Sequence, residues 1–138
     1  MKDIALLNIL IGFVENLVEL KERQIIAKFF GCKTDLMDSA NLLKIVIQAT
    51  NASNMHLTGN PQVVTVDDEE YGGVSILALI IESHLALHTW PKFKHVWVDI
   101  ATCGKGIPKK GIELISNYLS ADEVKIEYDS TNNLELMK

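Results

Sequence analysis

Apolar and polar positions follow two periods along this chain, one typical of strands and one typical of helices. Short apolar runs rich in β-forming residues predict strands at 24–30, 74–81, 85–90, 95–102 and 124–128. One or two further short strands are predicted within 55–66, interrupted around Gly59 and Pro61. Because 74–81 is almost wholly apolar, we expect that strand to be buried on both faces.

Two segments carry the helical period instead. Apolar residues recur at helical spacing over 35–49, with Thr34 or Asp35 as the N-cap. Pro108 suits the first position of a second helix, which ends near Leu119. The residues 91–94 form a hairpin turn, and the element order becomes β-α-β-β-β-β-α-β. This order predicts the α+β class, a two-layer sandwich in which helices pack on one face of an antiparallel sheet.

The first 22 residues form a separate segment. Ile4 to Leu20 is rich in Ile, Leu and Val, but it is too short and too interrupted by Glu15 and Glu19 to span a bilayer. It also lacks the basic region and the small-residue cleavage site of a signal peptide. We therefore expect 1–22 to be an amphipathic helical extension without membrane contact, and 23–138 to be the functional domain.

Composition and charge narrow the class of protein. The chain has 138 residues, of which 48% are hydrophobic, and this suits one domain with a real core. The net charge of -5 and the scattered Lys and Arg residues argue against a nucleic-acid partner. Cys32 and Cys103 match no zinc-binding spacing and predict two unpaired thiols in a reducing cytoplasm. A disulfide between them is the less favoured alternative.

The stretch from Gly72 to Gly104 places polar residues in strands that should be buried, where they cost free energy unless they are bonded or used. A metal site is disfavoured, because His84 and His88 on one strand face would lie about 13 Å apart at ~3.3 Å per residue. No GxSxG elbow supports a serine hydrolase. A nucleophile–base pair of Cys103 and His88 has no local signature either.

A set of short motifs resembles the prokaryotic S-adenosylmethionine decarboxylase family. The motifs are ESHLALHTWP at 82–91, WVDIATCG at 97–104, GGVS at 72–75 and IAKFFGC at 26–32. They occur in the order and spacing of that family, and the resemblance extends from Arg23 to Tyr128.

The resemblance implies a proenzyme that cuts itself between Glu82 and Ser83 into fragments 1–82 and 83–138. Ser83 would become a pyruvoyl group, which forms a Schiff base with the substrate amine; neither a metal nor pyridoxal phosphate is implied. Ser75 and His88 match the residues that assist processing, with His88 as the proton acceptor. Cys103 matches the residue that donates a proton to the product.

The substrate positions depart from the family pattern. Lys92 follows HTWP where the family has a glutamate suited to ribose hydroxyls, and acidic residues precede Tyr71 where the family has an aromatic residue. This favours a smaller cationic substrate, L-ornithine or L-arginine, with Glu69, Glu70, Tyr71 and Lys92 as candidate binding residues. The equally weighted alternative is that these acidic residues form a solvated loop.

The resemblance therefore predicts a cytoplasmic lyase of polyamine biosynthesis, assembled as a homodimer of processed protomers. Two alternatives remain at this point. One is S-adenosylmethionine decarboxylase itself, which serves spermidine synthesis. The other is a non-catalytic regulatory homologue, which the joint presence of Ser75, Ser83, His88 and Cys103 disfavours.

Overall fold

The bounds of the strands and helices follow the two hydrophobic periods. The computed structural model describes residues 4–8 and 21–131. Within them, residues 4–8 are helical (α1). The remaining elements are β1 (Glu22–Phe30), α2 (Ser39–Ala52), β2 (Gln62–Val66), β3 (Gly73–Ile80), β4 (Ser83–Trp90), β5 (His95–Cys103), α3 (Pro108–Leu119) and β6 (Glu123–Asp129). A short 3-10 turn, Pro91–Phe93, joins β4 to β5.

The strands form one sheet in the order β2-β3-β4-β5-β1-β6, and every neighbouring pair is antiparallel. A two-residue turn at Ile81 and Glu82 connects β3 to β4, and it pairs Ile80 with Ser83. β1 lies between β5 and β6, so the beginning of the domain is held between strands from its second half. The predicted α+β sandwich with an antiparallel sheet is confirmed.

Both long helices cover the same face of the sheet. α2 packs against β2, β3 and β4, α3 packs against β1 and β5, and the helices contact each other. Alternate residues of each central strand point into this layer, including the fully buried Phe29, Ile76, Leu87 and Ile100. The other face carries no helix among the described residues. We call it the open face; its members are the even-numbered residues of β1 and β4 and the odd-numbered residues of β3 and β5.

Two expectations about these elements were wrong. β3 is not buried on both faces, since Leu77 is 40% exposed and Leu79 is 58% exposed on the open face. α2 begins at Ser39 rather than near Asp35, because Asp38 is the N-cap and accepts a hydrogen bond from the Asn41 N–H. Asp35 instead accepts the Met37 N–H within the preceding turn.

The predicted N-terminal helix is described only at residues 4–8, which are helical and exposed. The rest of that prediction, residues 9–20, lies outside the described part of the chain. Among residues 4–8 and 21–131, no helix is both long and apolar enough to cross a bilayer.

Candidate active site

Ser75 and His88 form a hydrogen-bonded pair on the open face. They are direct cross-strand partners in the β3–β4 hairpin, and Ser75 Oγ lies 2.8 Å from His88 Nδ1. With Nδ1 engaged by Ser75, Nε2 is the ring nitrogen available to a reacting group. If Nδ1 carries the proton and donates it to Ser75 Oγ, Nε2 is unprotonated and able to accept a proton.

Aromatic rings surround His88. Its ring centroid lies 5.7 Å from that of Trp97 and 6.2 Å from that of Trp90. Trp90 stacks in turn on His95, and His95 stacks on Phe30. These rings bury part of the imidazole. Burial lowers the pKa of His88 below its ordinary value, and this favours the neutral form of the ring at neutral pH.

The predicted cleavage site lies in the β3–β4 turn. Ser83 is exposed and is the first residue of β4, directly after Glu82. The Cys103 N–H donates a hydrogen bond of 2.9 Å to the Glu82 carbonyl oxygen. A carbonyl held in this way is polarised, and negative charge that develops on its oxygen is stabilised. The peptide bond predicted to break therefore already has one oxyanion donor in the single chain.

Ser83 and Cys103 share a cleft of about 330 Å³ at this end of the sheet. The other lining residues are Glu22, Arg23, Gln24, Glu82, Ala101 and Thr102. The Arg23 guanidinium donates hydrogen bonds to the carbonyl oxygens of Gly104 and Gly106, at 2.5 and 3.0 Å, and so ties β1 to the loop after β5. A larger groove of about 480 Å³ lies between α3 and β6, and none of the predicted site residues line it.

One chain does not bring all the predicted catalytic residues together. Ser83 and His88 are five residues apart on β4, so their backbones are separated by about 16 Å at ~3.3 Å per residue. The disfavoured pair of Cys103 and His88 is also too far apart within one chain. His88 pairs with Trp97, and Cys103 lies six residues further along β5, about 20 Å away at ~3.3 Å per residue.

The candidate substrate residues lie at the opposite end of the sheet from Ser83. Glu69, Glu70 and Tyr71 are exposed in the turn before β3, and Lys92 is exposed in the turn after β4. Asp68 in the same acidic run accepts the N–H groups of Tyr71 and Glu70, and these hydrogen bonds lower the pKa of its carboxyl. Within one chain, none of these residues lines the cleft at Ser83.

Sequence reasoning missed two features of the cleavage turn. His56 contacts the Glu82 carboxylate, although it lies 26 residues upstream, and no spacing rule links the two positions. The Cys103 backbone N–H was missed as well, because only the thiol of that residue carries a sequence signal. His84, which the sequence offered only as a disfavoured metal ligand, lies 3.4 Å from Asp99, and Asp99 also accepts a hydrogen bond from Gln24.

Comparisons with known proteins agree with this fold and these motifs. The profile of the S-adenosylmethionine decarboxylase family matches residues 23–130. An arginine decarboxylase proenzyme of Pyrobaculum arsenaticum is 40% identical over 95 residues, covering 67% of this chain and 70% of that protein. An S-adenosylmethionine decarboxylase proenzyme of Caldanaerobacter subterraneus subsp. tengcongensis is 32% identical over 110 residues, covering 74% and 81% of the two chains.

A solved structure supports the fold independently. The crystal structure of the adenosylmethionine decarboxylase from Aquifex aeolicus matches with a TM-score of 0.67 at 20% identity, covering 78% of this chain and 88% of that one. Fold and relatives together place the chain in the class of pyruvoyl-dependent decarboxylase proenzymes that serve polyamine biosynthesis. It belongs to the S-adenosylmethionine decarboxylase family, which confirms the resemblance found in the sequence.

Proposed function

We propose that the chain cuts itself at Glu82–Ser83 and then decarboxylates L-arginine, with Ser83 as the source of the pyruvoyl group. The observation that carries the cleavage site is the hydrogen bond from the Cys103 N–H to the Glu82 carbonyl oxygen, which polarises the carbonyl next to Ser83. The fragments would be 1–82 and 83–138, with 1–22 as an extension of the domain.

The proposed self-cleavage requires Ser83, the assisting residues His88 and Ser75, and water. The Ser83 hydroxyl loses its proton and adds to the Glu82 carbonyl carbon, and the C–N bond then breaks to leave an ester and a free amine. Removal of the Ser83 α-proton expels the Glu82 carboxylate and leaves dehydroalanine. Water converts this enamine into the pyruvoyl group and releases ammonia. In this scheme His88 takes the α-proton, and Ser75 supports the imidazole and the oxyanion.

The residues around Ser83 suit the group that would form there. The cleft offers space next to Ser83, and Cys103 lines the same cleft. The pyruvoyl group, when present, supplies an electrophilic carbonyl that captures the substrate amine and withdraws electrons as carbon dioxide leaves. The proposed role of Cys103 is to return a proton to the substrate carbon that has lost the carboxylate.

Arginine is the proposed substrate rather than ornithine or S-adenosylmethionine. The arginine decarboxylase proenzymes of Pyrobaculum arsenaticum and Caldivirga maquilingensis are 40% and 37% identical to this chain, against 32% for the Caldanaerobacter S-adenosylmethionine decarboxylase. Lys92 also supports a substrate without ribose, since an ammonium group cannot accept hydrogen bonds from ribose hydroxyls. Glu69, Glu70 and Tyr71 remain candidates for contacts to the substrate.

A homodimer would complete the site. Because Ser83 and His88 are too far apart within one chain, we propose that His88 and Ser75 of one protomer act on Ser83 of its partner. The open face suits such contact, since it presents half-buried aromatic rings together with the exposed Leu77 and Leu79. Ser75 and His88 lie on this face, and Ser83 lies at the exposed end of the sheet, so a two-fold axis across the face would form two equal sites.

The proposed location remains the cytoplasm. Cys32 is buried, Cys103 is half-buried, and both are free thiols. This arrangement suits a reducing compartment.

The test of this function is the intact mass of the purified chain under denaturing conditions, with Ser83→Ala as the uncut control. Two fragments that break at Glu82–Ser83, the second beginning with a pyruvoyl group, would support it. Carbon dioxide release is then compared for arginine, ornithine and S-adenosylmethionine. Carbon dioxide release from S-adenosylmethionine alone would show that S-adenosylmethionine, and not arginine, is the substrate. A parental chain that stays uncut would favour the non-catalytic regulatory homologue.

A further inference from the structure

His56 binds the side chain of Glu82, the residue that precedes the proposed cleavage bond. Its Nδ1 lies 2.5 Å from Glu82 Oε1, and its backbone N–H donates to Glu82 Oε2 at 3.1 Å. A carboxylate only accepts hydrogen bonds, so Nδ1 carries the proton and donates it. The Glu82 side chain is 18% exposed, whereas that of His56 is 65% exposed. With His56 in contact, the Glu82 side chain is therefore mostly shielded from water, while His56 itself lies at the surface.

The segment that carries His56 is itself fastened to β3. The Ile81 N–H donates to the His56 carbonyl oxygen at 2.9 Å, and the Thr58 N–H donates to the Leu79 carbonyl oxygen at 2.9 Å. Leu57 and Ile80 form an isolated antiparallel bridge between these two bonds. These backbone contacts hold His56 at a fixed position beside the turn, so its contact with Glu82 is made from a restrained segment.

Glu82 is consequently held from two sides. The Cys103 N–H binds its carbonyl oxygen at 2.9 Å, and His56 binds its carboxylate through two hydrogen bonds. Rotation of the residue would lengthen at least one of these contacts. We propose that His56 is a positioning residue for self-cleavage, which keeps the Glu82 carbonyl on the Cys103 N–H while Ser83 attacks. This inference rests on the proposed cleavage at Glu82–Ser83.

The charge on Glu82 is consistent with this role. Burial raises the pKa of the Glu82 carboxyl, but the hydrogen bonds from the His56 side chain and backbone, together with that from the Glu82 backbone, help to bring the pKa below its ordinary value. The carboxylate is therefore ionised at neutral pH. Hydrogen bonds to an ionised acceptor are stronger than neutral ones, which makes this contact an effective restraint on the turn.

The experiment compares three substitutions in the full chain by the first-order rate of self-cleavage after cell-free synthesis. His56→Ala removes the side-chain donor. His56→Asn keeps an N–H donor at the position of Nδ1. Thr58→Ala is the matched control, because the Thr58 hydroxyl bonds the Leu79 carbonyl oxygen at 3.0 Å in the same segment without touching Glu82. We expect H56A to cut roughly 10-fold to 100-fold more slowly, with H56N and T58A within about threefold of the parent.

A second measurement separates positioning from folding. In the uncut Ser83→Ala background, each variant is melted, and the Glu82 carboxyl is titrated by NMR. The proposal expects H56A to raise the measured pKa of the Glu82 carboxyl, while its melting temperature stays equal to that of T58A. Equal cleavage rates for H56A and the parent, slowing of H56A and T58A alike, or failure of H56N to restore the rate would each overturn it. A parental chain that never cuts would remove the proposed function as well.

Discussion

The imidazole of His88 is the titratable group on which the proposed cleavage depends. Elimination from the ester requires a neutral base, and burial holds the pKa of His88 below its ordinary value of 6.5. We therefore expect the cleavage rate to be level at neutral pH and above, and to fall only when the pH drops below 6.5 and His88 becomes protonated. The measurement is the rate constant across a pH series. An inflection above 6.5 would contradict the assignment.

The two cysteines provide a matched test of the proton donor. Cys103→Ala removes the thiol but keeps the backbone N–H on Glu82, so we expect cleavage to proceed and arginine turnover to fall by about 100-fold or more. Cys32→Ala is the control, because Cys32 is buried and burial raises the pKa of its thiol to about 11. The readouts are fragment mass and carbon dioxide release. Normal turnover by C103A would exclude the thiol as donor.

At the scale of elements, the β3–β4 hairpin determines which residues meet. Its two-residue turn pairs Ile80 with Ser83, and the same register places Ser75 opposite His88. A register shift of one residue in β4 would turn His88 to the helix-covered face, away from Ser75. The family motifs named Ser75 and His88, but their pairing was not predicted, because no turn was expected at Ile81 and Glu82.

Thr89 anchors the far end of that hairpin. Its buried hydroxyl accepts the Val74 N–H at 2.8 Å and donates to the Leu36 carbonyl oxygen at 2.9 Å. Thr89→Val keeps the shape but leaves both groups unpaired, so we expect a loss of about 2–3 kcal/mol of unfolding free energy. Thr65→Val on the exposed β2 is the control and should change it by less than about 0.5 kcal/mol. Urea denaturation of the S83A background measures both, and equal values would contradict the anchor.

At the scale of the whole molecule, the two proposed fragments interlock. Fragment 1–82 contains β1, β2 and β3, and fragment 83–138 contains β4, β5 and β6. β1 lies between β5 and β6, and β3 lies beside β4. Since three strand pairings cross between the fragments, cutting the turn leaves the sheet intact.

The proposed dimer makes a prediction that no single chain can satisfy. A Ser83→Ala chain and a His88→Ala chain should each stay uncut alone. Mixed dimers should cut the H88A chain, since it keeps Ser83 and receives His88 from its partner. Co-expression of differently tagged chains, followed by mass analysis of each, measures this. If the H88A chain stays whole in the mixture, Ser83 and His88 do not act across the dimer.

The elements, their order and the family all follow from residue patterns along the chain. Strand and helix periods are local, and the motifs around Ser83, His88 and Cys103 depend on residue identity over short spans. The N-cap of α2 was misplaced because several Asp residues near the start compete as caps, and only their hydrogen bonds distinguish them. The burial of β3 was overestimated because an apolar strand has the same composition whether one or both of its faces are covered.

The groups that meet at the cleavage turn could be found only from the folded chain. The Cys103 N–H reaches the Glu82 carbonyl because β4 and β5 pair in one register, and His56 reaches the carboxylate from 26 residues upstream. These contacts depend on strand pairing between distant residues, and such pairing is set by the packing of the whole sheet rather than by any local pattern.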